Sequence, residues 1–398
     1  MNNLPQLFIS IGDLEISLIS GHNNDQNSFE LLEKLTLPID GTSENKITDL
    51  DKIANLLKRN ILIIEQKVNY TFKDITIILN NLETSFLNLC GFKKLNGTQI
   101  SKENITYILN SLKSYVNEFE ENKKILHIFN SEYCLDKKKL DNLPIGLFGD
   151  FYSHELSLNL INKNDYRNLE NIFSQCNLKI KKILLESFII GSLTNDINPK
   201  IDTFLYIQIK DNNSKLFYVE NNALKFEQKF NFGTEIIVND ICKITSLEKI
   251  LVKNIISGNK NLNIISDKEE LIDEKYFDNQ KYKKIKKNLI AKIAEARIEE
   301  LSEKLFLKNI NLQKLLKEIK VIFLEINDQQ HYKCFNHAYE KCFTFNDKYE
   351  VKMMRKLEIE QIINKAENIV QFGWKKEAIP VTKSKKSLIS RIFQEIFQ

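Results

Sequence analysis

Five stretches of this 398-residue chain carry side chains that could do chemistry. LYIQIKDNNSKLFYVENNAL, residues 205–224, sets Asp211, Asn212, Asn213 and Ser214 between two apolar runs. Turn formers at that spacing predict a β-hairpin, and the backbone N–H groups of a tight polar turn can cradle a phosphate. His331, Cys334, His337 and Cys342 carry zinc-ligating atoms. Their spacing matches no common zinc module, and on one helix the four would not share a face, so no metal is expected. His127 and Glu132 are acid–base candidates. Arg297 and Glu300, three apart, form a charge pair that ordinarily supports its own helix by about 0.2–0.5 kcal/mol. The last stretch, KSKKSLISRIFQEIFQ, repeats Leu388, Ile389, Ile392, Phe393, Ile396 and Phe397 beside Lys383, Lys385, Lys386 and Arg391. That pattern is an amphipathic helix, which either packs on its own protein or lies on an anionic lipid surface.

The composition is that of a soluble globular protein, with 42% hydrophobic and 28% charged residues. A net charge of +4, with acids and bases interleaved, gives no footprint for nucleic acid. The six cysteines include no CxxC pair, which fits free thiols in a reducing compartment. No basic-then-apolar leader opens the chain, and no apolar run reaches the roughly 18 residues that cross a bilayer. These features set the expectation of a cytoplasmic protein.

The elements that must position these groups follow one order twice. QLFISIG, LEISLIS and EKLTLPI read as three strands. A helix follows from about Thr48, with Ile53, Leu57, Ile61, Ile64 and Val68 on its buried stripe, Thr48 as N-cap and Asp51 three residues on. KDITIIL is then a strand. FLYIQIK, KLFYVEN, ALKFEQKF and FGTEIIVNDICKI repeat the order from about residue 203, and VIFLEI is a later strand. A meander followed by a helix, occurring twice, predicts a duplicated α/β architecture. A different unit lies between the copies: helical ENITYILNSLKSYVNEF, strand-like KILHIFNSEYCLD, the turn PIGLFGD and strand-like ELSLNLI. After residue 280 Ile290, Ala294, Ile298, Leu301 and Leu305 form a helical stripe, with Arg297 and Glu300 on another face.

The segment from Ile125 resembles the FtsA family of bacterial cell division proteins, which belongs to the actin-like proteins. His127, Glu132, Tyr133, Asp136, Pro144, Ile145, Gly146 and Gly149 stand at the family's places, with one extra residue, Leu143, before Pro144. IAEARIEEL, at 293–301, is similar to its late helix. The resemblance implies duplicated actin-like (ribonuclease H-like) domains of α/β class with an inserted small α+β module. On that plan 1–82 and 161–197 form the first subdomain and 83–160 the insert. The second domain is 198–374, with a helical subdomain at about 243–320. A linker at 375–387 and a membrane-targeting helix at 388–398 complete the plan. His127 and Glu132 then belong to the insert and carry no catalysis.

Actin-like folds hold ATP and magnesium with glycine-rich loops. The first such loop is here Ser10-Ile11-Gly12-Asp13-Leu14-Glu15: Gly12 is kept, but Ser10 replaces an aspartate, and Asp13 and Glu15 replace a hydroxyl and a cation. In the second, Gln208-Ile209-Lys210-Asp211-Asn212-Asn213-Ser214-Lys215, every glycine is gone. Gly233-Thr234 stands at the later Gly-Gly, and Ile326-Asn327-Asp328 at the adenosine-side Gly-Gly. Side chains in place of glycine fill the space of a phosphate, and carboxylates repel it. The expectation is a degenerate ATPase without hydrolysis and without a bound cofactor; a working ATPase that polymerises with nucleotide is the alternative. The resemblance further implies an adaptor that tethers FtsZ filaments to the cytoplasmic membrane and helps assemble the septum. The FtsZ C-terminal peptide would dock at Arg297 and Glu300. Leu388, Ile389, Arg391, Ile392, Phe393, Ile396 and Phe397 would meet anionic lipid, and the insert would meet a second copy or downstream division proteins. An actin-like adaptor of a pilus or secretion machine is a further alternative.

Overall fold

The structure is a computed structural model that describes residues 4–12, 15–24, 29–39, 42–43, 46–47, 49–80, 82–259, 262, 270–277, 281–345 and 347–374. The chain divides into two units: Met1–Asp202, Glu220–Phe226 and Leu357–Gln398 form one, and Thr203–Val219 and Glu227–Lys356 the other.

The first unit opens with β1 (Gln6–Ile11), β2 (Glu15–Asn23) and β3 (Phe29–Pro38). A short ladder, β4 (Thr42–Ser43) with β5 (Lys46–Ile47), leads into α1 (Leu50–Val68). The cap of α1 is Asp49 and not Thr48, which lies outside the described residues. The Asp49 carboxylate accepts from the Lys52 N–H at 3.0 Å, so it satisfies an orphan donor and faces the positive end of the helix dipole. Ile53, Leu57, Ile61 and Ile64 are buried as their spacing requires. β6 (Asp74–Leu79) then pairs parallel with β1.

The chain next builds the insert from β7 (Thr84–Lys94), α2 (Lys102–Phe119), β8 (Lys123–Leu135), β9 (Lys138–Leu140) and β10 (Phe151–Asn162), with sheet order β7-β10-β8-β9. Ile105, Ile108, Leu109 and Val116 of α2 share a core with Ile128, Tyr133, Tyr152, Leu156, Leu158 and Leu160. Gly91 lies beneath α2, where any Cβ would collide with Ile108. His127 is fully buried and accepts from Leu185 N at 3.3 Å, while Glu132 pairs with Lys139 and Cys134. His127 stands opposite Asn159 and Glu132 opposite Glu155, so the two lie apart along β8. After α3 (Lys163–Gln175), β11 (Lys179–Leu185) pairs parallel with β6, and α4 (Glu186–Ile197) follows.

The second unit contains β12 (Phe204–Ile209), β13 (Ser214–Glu220), β14 (Ala223–Phe230), α5 (Glu235–Thr245), α6 (Lys249–Gly258), α7 (Lys287–Ser302), β15 (Val321–Ile326), α8 (Gln329–Thr344) and β16 (Glu350–Met354). The ends of β13 and β14, from Glu220 to Phe226, count with the first unit. All six residues of β12 are buried, as befits a strand flanked on both edges and covered on both faces.

The sheets have the orders β3-β2-β1-β6-β11 and β14-β13-β12-β15-β16. In each, three consecutive strands lie side by side, the fourth strand runs parallel to the first, and the fifth runs parallel to the fourth. One ribonuclease H-like topology is therefore present twice. Residues 198–202 and 220–226, placed by the sequence in the second domain, count with the first unit, and a longer stretch does so as well. Residues 357–374, placed by the sequence in the second domain, carry α9 (Ile359–Phe372), which returns to the first unit. There Glu367 accepts from Gln6 at 2.8 Å and Lys365 reaches Asp196. Trp374 packs edge-on against Phe188.

Candidate functional site

The β12–β13 hairpin has the predicted register, from Phe204 opposite Val219 to Ile209 opposite Ser214. Lys210 N donates to Asn213 O at 2.9 Å to close the turn. None of residues 210–213 has positive φ, so the turn stands without glycine and without strain. It is seated on the start of α5. Thr234 N donates to Lys210 O at 3.0 Å and Glu235 N to Asp211 O at 2.9 Å. A helix N-terminus is a ready anion site because its first N–H groups lack partners. Here those groups already serve the chain's own carbonyls. Gly233 makes the approach possible: a Cβ there would overlap Lys210 O and lie 2.6 Å from Asp211 O.

The neighbouring positions are committed in the same way. The Ser214 hydroxyl donates to Phe232 O at 2.7 Å. Gln208, at the register of the second loop's aspartate, donates to Glu325 at 2.9 Å. Asp328, where the adenosine-side glycines would be, caps α8 by accepting from Gln330 N and His331 N at 2.9 and 3.0 Å. In the first unit Gly12 N donates to Glu15 O at 3.0 Å in the β1–β2 turn. Ser10 is buried within β1, and Asp13 lies outside the described residues.

Beside the hairpin turn is a cavity of about 190 Å³ lined by Asp211, Thr234, Glu235, Lys253, Asp328 and His331 among others. Three carboxylates face one lysine. Burial opposes charge on Glu235, but the Lys249 and Lys253 ammoniums outweigh it and hold that carboxyl below its usual range. Burial pushes the His331 imidazole down to about 4, so it is neutral at pH 7 and adds no cation. The cavity offers acceptors and negative charge, which suit a donor or a cation better than a phosphate. Among the described residues no group of three or more His, Cys, Asp or Glu could hold a metal ion.

Arg297 and Glu300 line a second concavity, of about 260 Å³, with Phe232, Ile236, Asn239, Asp240, Lys243, Leu301 and Lys304. The sequence reading missed all of these partners. The signal was present as two matching ladders: 236, 239, 240, 243 on α5 and 297, 300, 301, 304 on α7 and its continuation, each at i, i+3, i+4, i+7. Arg297 joins the two helices, donating to Asp240 on α5 and to Glu300 on its own helix. Lys304 and, after it, Arg297 hold the Glu300 carboxyl below its usual range. The result is an apolar floor of Phe232, Ile236 and Leu301 under a charged rim. The membrane candidates, Leu388 to Phe397, lie outside the described residues.

No protein-family model matches the chain. The cell division protein FtsA of Buchnera aphidicola subsp. Baizongia pistaciae (strain Bp) is 22% identical over 302 residues, 73% of this chain and 70% of that protein. FtsA of Escherichia coli (strain K12) is 18% identical over 176 residues, 44% of this chain and only 41% of the relative's own length. A solved structure of the PilM-PilN type IV pilus biogenesis complex superimposes with a TM-score of 0.52 at 10% identity, covering 91% of this chain and 94% of that one. With the twofold sheet topology, these findings give the chain an actin-like fold of duplicated α/β sheets and a distant likeness in sequence to FtsA.

Proposed function

We propose that the chain is an actin-like adaptor that holds FtsZ filaments to the cytoplasmic face of the membrane at the division site, without hydrolysing a nucleotide. The observation that carries this reading is the FtsA likeness across 73% of the chain. The groove around Arg297 and Glu300 supports it by supplying a concavity with room for one or two side chains of a peptide at the positions the resemblance marks for docking. No helix among the described residues is long and apolar enough to cross a membrane, so the foot of the adaptor is the amphipathic sequence at 388–398. Each large apolar side chain buried in lipid contributes about 1.5–3 kcal/mol, offset by the ordering of the tail, so one foot binds reversibly and an array binds firmly. The test is co-sedimentation with anionic vesicles. The full chain should carry FtsZ into the pellet, and the chain lacking residues 384–398 should leave both in solution. FtsZ staying in solution beside vesicle-bound adaptor overturns the docking half of the reading.

A second reading, an adaptor of a pilus or secretion machine, rests on the PilM-PilN likeness in fold. It predicts that same outcome, a vesicle-bound chain indifferent to FtsZ.

The absence of nucleotide chemistry is part of the proposal. Its support is the capped starts of α5 and α8 and the carboxylates around the cavity. Titration calorimetry with Mg-ATP should give no binding heat. The melting temperature should not move either, because a ligand at 100 times its Kd would stabilise the fold by about 2.7 kcal/mol. A saturable heat would favour the ATPase alternative.

A further inference from the structure

We infer that the α5–α7 groove receives an acidic peptide through Lys243, and that Arg297 is a positioning residue that sets the groove's width. The inference rests on reading the groove as a peptide dock, and it concerns which charge does the recognising.

The rim carries two carboxylates, Asp240 and Glu300, and three cations, Lys243, Arg297 and Lys304. Arg297 is committed to Asp240 and Glu300, and Lys304 to Glu300. A partner's carboxylate approaching Arg297 would meet two carboxylates, Asp240 and Glu300, already on that one guanidinium and would be repelled by both. Lys243 has no hydrogen-bond or ion-pair partner among the described residues. It lies three residues beyond Asp240 on the groove-facing side of α5, at the edge of the floor made by Phe232, Ile236 and Leu301. Among the described residues, one uncompensated positive charge therefore stands beside an apolar floor with room for one or two side chains. The complementary occupant is a short segment with an apolar anchor next to one or more carboxylates. A basic segment, including this chain's own Lys- and Arg-bearing C-terminal stretch, would meet Lys243 as a like charge and two carboxylates whose charge Arg297 and Lys304 already offset. A cation in the last turn of α5 also suits that helix's dipole, so stability alone cannot report the role of Lys243.

The experiment measures binding of labelled peptides to the full chain: the FtsZ C-terminal peptide, and synthetic peptides that pair one Leu or Phe with none, one or several Asp. Affinity should rise with Asp count and fall with salt. Lys243→Glu should weaken the acidic peptides roughly tenfold, favour versions with Lys in place of Asp, and leave the circular dichroism unchanged. Lys243→Gln should fall between. Arg297→Asp should weaken every peptide, and adding Asp240→Arg should restore binding by rebuilding the bridge in reverse. Rescue by that swap supports a positioning role, whereas a direct contact through Arg297 would not be rescued. Unchanged affinity and salt dependence in Lys243→Glu, or no rescue by the swap, overturns the inference. The two readings fail separately. FtsZ peptide bound equally by the parent and Lys243→Glu sinks this inference and leaves the adaptor. Acidic peptides bound through Lys243 while the FtsZ peptide is ignored support the inference and remove FtsZ as partner.

Discussion

Replacing Gly233 with valine destabilises the protein by about 3–4 kcal/mol, the sum of overpacking and two lost backbone hydrogen bonds. The side chain would have to enter space held by Lys210 O and Asp211 O. Main-chain atoms cannot rotate away as a flexible side chain can, so the β12–β13 turn must lift from α5. That breaks the Thr234–Lys210 and Glu235–Asp211 hydrogen bonds together. Urea unfolding followed by circular dichroism should show a lower midpoint. Native-state hydrogen exchange should lose protection first at Thr234 and Glu235, whose amides are the donors. An unchanged midpoint with those amides still protected would mean that the turn is not seated on the helix. The case for a helix start closed to phosphate would fall with it.

Much of this fold was legible because it is written in local periodicity. Apolar runs of five to seven residues around polar turns marked both meanders, and the stripe from Ile53 to Ile64 marked α1. Repetition of that order pointed to the duplication before any sheet order was known. What escaped depends on meetings between distant residues. Asp240 and Arg297 are 57 residues apart, and nothing near Arg297 names its partner. The lost glycines of the second loop announced that phosphate binding was altered. They did not announce that the turn's carbonyls would take over the amides of α5, because that contact depends on where the strand and the helix end up. Helix α9 illustrates the same limit. Ile362, Ile363, Ala366, Ile369 and Val370 declare a buried face, but a stripe says only that it is covered and not by which sheet. The cap of α1 missed by one residue for a simpler reason: Thr48 and Asp49 are both good caps, and only the hydrogen bond to Lys52 separates them.

The largest loss of stability is expected from Glu325→Ala. Glu325 is 1% exposed and accepts from the Tyr206 hydroxyl at 2.6 Å and from Gln208 at 2.9 Å. Lys215, Gln208 and Glu325 stand opposite one another on three adjacent strands, all buried, so they form one polar row across the middle of the second sheet. Removing the carboxylate takes away the acceptor of two buried donors, the Tyr206 hydroxyl and the Gln208 amide, and opens a cavity. Breaking such a buried charged network costs about 3–5 kcal/mol. Glu325→Gln keeps the volume and one acceptor oxygen, so it should cost less than alanine and more than nothing. The comparison also bears on function, because Gln208 occupies the position where the resemblance places the second loop's aspartate. If the row is scaffold, both variants should lower the urea midpoint and neither should change peptide affinity per folded molecule. Should Glu325→Ala unfold at the parent's urea concentration, the row would not be holding the sheet together.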